Sequence, residues 1–185
     1  MKKKLAKFVR VATIPPIAAV MMILFLPEIF AGAARRRAIF FLAVLPMLAY
    51  PVCWVIPPLR RRGREAERTL AVVFSLLGYL GGAACAVLLD EPRDVLLIYL
   101  VYLASGALIA VFSFLLRVKG SGHASGVAGP VVMMVIRQGP VFLSGFAALA
   151  LVFWSSLTLG RHTWPQLVLG SMFPIVSMAI LMPVL

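Results

Sequence analysis

Apolar residues in this chain fall in long blocks, and each block is bracketed by cations, prolines or glycines. The blocks at 11–30, 38–58, 69–89 and 95–116 approach the about 20 residues a helix needs to cross a hydrocarbon core, so each predicts a transmembrane helix. The block over 124–159 is too long for one crossing and is interrupted by Arg137-Gln138-Gly139-Pro140. Proline removes a backbone donor and glycine loosens the helix, so this stretch divides into a short helix over 124–136 and a longer one over 141–159. A last span is expected over 165–183. The expected fold is an all-α polytopic transmembrane helix bundle of about six spans plus one short helix. It forms a single integral membrane domain over 1–185, with a basic segment over 1–10. A signal peptide ahead of a soluble domain would instead show one short apolar region.

Composition agrees with the blocks: 63% of the 185 residues are hydrophobic and 13% are charged. The net charge of +12 does not point to nucleic acid, because the cations sit in short clusters at block ends, as topology signals and anionic headgroup contacts do. Counting crossings puts three polar loops, 60–68, 117–125 and 160–164, on one membrane face with the N-terminus. That face carries most of the 18 cations, which predicts a multi-pass protein of the cell membrane with this face cytoplasmic. Arg35, Arg36 and Arg37 count the other way. Glu28, Arg137 and Gln138 belong near the opposite interface. Cys53 and Cys85 each lie inside an apolar block, so neither a disulfide nor a thiolate metal site is expected. No His, Asp and Glu cluster shares a face, so no metal or other cofactor is expected. Gly78 and Gly82 have the small-xxx-small spacing of close helix packing.

Two short passages carry the candidate chemistry. The first is Lys119-Gly-Ser121-Gly122-His123; the second is Ser155-Ser156 followed by Arg161-His162 and Gln166. They hold the only two histidines, each beside cations and hydroxyls at the end of an apolar block, where phosphate chemistry on a lipid would be done. Gly120-Ser121-Gly122-His123 resembles the P-S-G-H motif of the type 2 phosphatidic acid phosphatase superfamily. Ser155 and His162 have the spacing of its S-R-x5-H-x3-D motif, and the stretch from Leu159 to Gly170 is similar to the family's histidine loop entering its last helix. Arg61 and Arg68 offer a weaker counterpart to a K-x6-R-P motif, with Thr69 in place of proline. The resemblance concerns residues 117–170 and the earlier helices only in general character.

The resemblance implies a metal-independent phosphoric ester or diphosphate hydrolase acting through a phosphohistidine. His162 would be the nucleophile and His123 the general acid. Lys119, the Ser121 hydroxyl and the Gly122 amide at a helix start would meet the phosphoryl charge, with Ser155, Arg161, Arg117, Arg61 and Arg68 as further substrate-binding residues. Two positions depart from the family pattern. The arginine after the motif serine is Ser156 here, so one guanidinium is missing, to be replaced by Arg161, Arg117 or an arginine of the 60–68 loop. The aspartate that orients the nucleophile is Gln166, which can accept the imidazole N–H but cannot stabilise an imidazolium by charge.

The expected partners are membrane lipids and a lipid phosphate or diphosphate: phosphatidic acid, a phosphatidylglycerol phosphate, or a polyprenyl phosphate. Alternatives are a degenerate phosphatase-fold protein that binds or regulates, or a small lipid transporter. The transporter would want polar residues lining several helices at mid-membrane, and these spans carry only scattered serines and threonines.

Overall fold

A computed structural model describes residues 1–185. The chain is helical throughout, with no strand. Helix α1 is Lys2–Ala12 and α2 is Pro15–Phe25. They are followed by α3, Gly32–Val55; a short α4, Pro57–Arg62; α5, Arg64–Leu88; and α6, Arg93–Leu115. The last three are α7, Gly122–Gln138; α8, Pro140–Thr158; and α9, Trp164–Leu181. Helices α3, α5, α6, α8 and α9 are long and apolar enough to cross a membrane, and α1 with α2 makes a sixth candidate, bent by 47°.

The first expected span, over 11–30, is corrected by that bend. The basic segment over 1–10 is itself helical and runs to Ala12, and the break falls at Thr13 and Ile14. The cause is the pair Pro15-Pro16. The residue before a proline is pushed out of the helical region, and Ile14 is extended at φ −61 and ψ 146. Pro15 then starts α2, where a missing N–H costs nothing. The expected break at Gly139-Pro140 separates α7 from α8.

Helix α7 is the hub. It packs against α2, α6, α8 and α9, and Ala124, Val127, Ala128, Gly129, Val131 and Met133 are all buried along it. Small residues permit these close approaches. On α5, a Cβ at Gly78 would strike the Phe41 carbonyl of α3 and one at Gly82 the Tyr99 ring of α6, so the glycine pair is what lets three helices meet.

The bundle has two polar ends. At one, Arg37 pairs with Glu91, Arg137 pairs with Asp94, and the Gln138 side chain donates to Glu28 at 2.7 Å. Arg35 donates to the Phe30 carbonyl at 3.0 Å. Arg35 and Arg37, which counted against the orientation of the chain, thus have specific partners at this end. The other end gathers the α1–α2 break, the start of α5, the α6–α7 loop and the α8–α9 loop.

Candidate functional site

At that second end a cavity of about 260 Å3 opens into the bundle. Its mouth carries Arg10, Tyr50, Arg68, His123 and His162. Its depth is lined by α5, α6, α7 and α9, and it closes on Met22, Ile98, Met133 and Met178. Both histidines therefore face one space, although 39 residues of sequence separate them.

The backbone holds the two histidine passages together. The Ser121 N–H donates to the Gln166 carbonyl at 3.0 Å, tying the α6–α7 loop to the first turn of α9. A Cβ at Gly170 would run into the Ser121 backbone, so glycine allows α9 to lie against that loop. The Ser121 hydroxyl caps α7 by accepting the Ala124 N–H at 3.2 Å.

His162 is oriented from below. Gln166 Oε1 can only accept, so the 3.2 Å contact makes His162 Nδ1 the donor and leaves Nε2 as a lone pair. The same oxygen accepts the Thr163 N–H at 3.2 Å, and the Gln166 side chain belongs to a capping box at the start of α9. Burial holds the His162 pKa below the usual histidine value; the Gln166 bond pulls it up, and Arg10, Arg68 and Arg161 push it down again. The result is a neutral imidazole at neutral pH with a free nitrogen.

His123 is held by the N-terminal arm. Thr13 spends its one hydroxyl proton on the Val9 carbonyl at 2.8 Å, so its 3.2 Å contact with His123 Nε2 has the imidazole donating. Arg10, three residues earlier on α1, donates to the buried Ser156 hydroxyl at 3.1 Å. Arg10 is the functional candidate that sequence reasoning missed. Ser156, the position where the resemblance would place an arginine, is met by the Arg10 guanidinium of α1, and of the anticipated replacements Arg68 also lines the cavity. The only sequence signal for Arg10 was its place at the inner end of a lysine cluster.

Other expected residues divide. Gly122 and Arg68 line the cavity, and Arg68 donates to Ser113 on α6 at 3.4 Å. Arg161 stands close enough to act on His162 and Arg10 but does not line it. Arg61, Arg117 and Lys119 are exposed and do not line it. Ser155 is fully buried and donates to the Val152 carbonyl at 3.1 Å, a bond within its own helix. Ser121 likewise turns inward to its cap. Of the arginine pair with motif spacing, Arg68 alone reaches the site, because Arg61 lies on α4 while Arg68 is in the first turns of α5.

The scattered hydroxyls are scattered only in sequence. Ser75, Tyr79, Tyr102, Ser105 and Ser125 all line the cavity, so the spans do present a polar wall below the mouth. The sequence shows only scattered serines and threonines in the spans; it does not show that these serines and two tyrosines face one cavity. The Tyr102 hydroxyl is buried there with no hydrogen-bond partner. No protein family, curated protein or solved structure matches the chain.

Proposed function

We propose that this protein is a multi-pass membrane lipid phosphatase, a divergent relative of the type 2 phosphatidic acid phosphatases, with its cavity mouth on the cytoplasmic face. One observation carries the reading: two histidines and two guanidiniums, those of Arg10 and Arg68, surround the mouth of a single cavity whose floor is apolar. Such a space suits an anionic head above a hydrocarbon chain.

In this mechanism the phosphoryl oxygens lie against Arg10, Arg68 and the Gly122 amide at the start of α7. His162 Nε2 attacks phosphorus in line, the N–P bond forms and the P–O bond to the lipid alcohol breaks. His123 acts here as the imidazolium, a form that burial and Arg10 disfavour until the anionic phosphate lies beside it. It gives its Nδ1 proton to the departing oxygen while Nε2–H stays on Thr13, then takes one from the water that attacks phosphohistidine, releasing phosphate. Gln166 fixes the His162 tautomer, and Thr13 is the positioning residue for His123.

The hydroxyl wall favours one of the candidate lipids. A glycerolipid carries ester oxygens just below its phosphate, which the unpartnered Tyr102 hydroxyl can meet; a polyprenyl phosphate carries only hydrocarbon there.

Phosphate release from detergent-purified protein, with EDTA and a panel of these lipids, tests the proposal. Turnover that survives EDTA and is lost in both His162→Ala and His123→Ala is the expected result. Well-folded protein that releases nothing from any lipid overturns it. The regulatory reading would then lead, favoured by Gln166 serving as a helix cap, a role that needs no catalysis. The hydroxyl wall gives the transporter reading its own observation, and lipid flux in liposomes tests that.

A further inference from the structure

Helix α1 is built as two faces that the rest of the protein does not use. Leu5 and Phe8, 55% and 70% exposed, form an apolar stripe that Met1 and Ala12 continue at helical spacing. Lys2, Lys3, Lys4 and Lys7 are exposed on the remaining surface. α1 contains no acidic residue, and the two ion pairs of the protein, Arg37–Glu91 and Arg137–Asp94, both lie at the opposite end of the bundle. The buried side is narrow. It holds Ala6, fully buried, and Arg10, which continues the stripe begun by Lys3 and Lys7 and turns inward to Ser156. The arm packs against α8 and is hinged from α2 by the 47° bend at Thr13-Ile14.

An exposed apolar stripe flanked by unbalanced lysines, on a helix bent from α2 and laid along the outside of α8, has the chemistry of a helix lying in a membrane interface rich in anionic headgroups. We infer that α1 is an interfacial arm that docks on anionic lipid, and that this docking holds Arg10 on Ser156 and Thr13 on His123 at the cavity mouth. Two of the side chains that complete the site come from this arm and its hinge, so its position and the state of the mouth are linked. Electrostatic attraction brings the lysines to the headgroups, and burial of Leu5 and Phe8 sets the depth. The arm's docking stands without the phosphatase reading; only its consequence for turnover rests on it.

The test uses the full chain carrying Leu5→Cys in a Cys53→Ala, Cys85→Ala background, labelled with a nitroxide. It is reconstituted in neutral phosphatidylcholine vesicles and in vesicles containing a third phosphatidylglycerol. The expected result is that anionic lipid raises the label's exposure to oxygen and lowers its exposure to a water-soluble relaxing agent. High salt or a Lys2, Lys3, Lys4, Lys7→Gln variant should reverse both, because screening and charge removal act on the same attraction. Equal accessibility in the two vesicles, unchanged in the lysine variant, overturns the inference. Phosphate release run beside it, with substrate at low mole fraction, is expected to rise at least threefold with anionic lipid in the parent and not in the variant. An arm that docks in a protein releasing no phosphate keeps the docking and discards the phosphatase reading. A working phosphatase whose arm ignores lipid charge does the reverse.

Discussion

Arg10 reaches Ser156 across 146 residues of sequence, and that contact makes a specific expectation about charge at the site. If the Arg10 guanidinium grips phosphoryl oxygens, Arg10→Ala should cost about 10- to 100-fold in kcat/KM, the worth of a charge-assisted hydrogen bond of about 1.5–3 kcal/mol. Ser156→Arg in the Arg10→Ala background returns a guanidinium to the vacated space and should recover part of the loss. Steady-state phosphate release on the three proteins checks this, and equal rates in Arg10→Ala and the parent would remove Arg10 from the site. His162 carries a second expectation. If its base form is the nucleophile, as proposed, the depressed pKa means that turnover should persist as pH falls below about 6.5 and decline only through the lowered value. Gln166→Ala removes a bond that raises the pKa and should move the acid limb lower still. Gln166→Glu keeps the helix cap, places a negative charge beside the imidazolium and should move it higher. The kcat/KM profile against pH for the three proteins reads both shifts.

At the scale of elements, the close seat of α9 against the α6–α7 loop decides whether the histidines share a cavity. Gly170→Val would force the Ser121 backbone away, with an overpacking cost of about 1–3 kcal/mol. Thermal unfolding of the purified protein should show a lower midpoint, and phosphate release should fall further than that loss alone explains. Most element boundaries were legible beforehand. The expected 69–89, 95–116 and 165–183 compare with Arg64–Leu88, Arg93–Leu115 and Trp164–Leu181, because membrane thickness dictates the length of an apolar block and prolines, glycines and cations mark its ends. α1 was not legible as part of the bundle. Its cations read as a free basic segment, and only the hinge ahead of Pro15 shows that Lys2–Ala12 is a separate helix laid against α8.

Over the whole molecule, polar chemistry is sorted to two ends with different characters. At one end Arg37 pairs with Glu91, Arg137 with Asp94 and Gln138 with Glu28; the other leaves histidines and guanidiniums around an open cavity. The hydroxyl wall inside that cavity is assembled from α5, α6 and α7, so under the proposed activity substrate class would be a property of the whole bundle. Tyr102→Phe should raise KM for a glycerolipid about fivefold and leave a polyprenyl phosphate nearly unaffected; equal effects on both lipids would exclude a contact with the ester oxygens. By itself the sequence determined that the chain is all-helical, where its apolar blocks begin and end, and that two histidine passages lie at block ends. Those features are local: they depend on hydropathy, block length and nearby prolines. Only the tertiary structure decided that Arg10 meets Ser156, that Thr13 meets His123, that Ser121 and Ser155 turn inward, and that five hydroxyls share one wall. Each of these follows from helix rotation and from approach distances set by small residues such as Gly78, Gly82 and Gly170. A helix that is apolar on nearly every side carries little periodic signal to say which face will point inward.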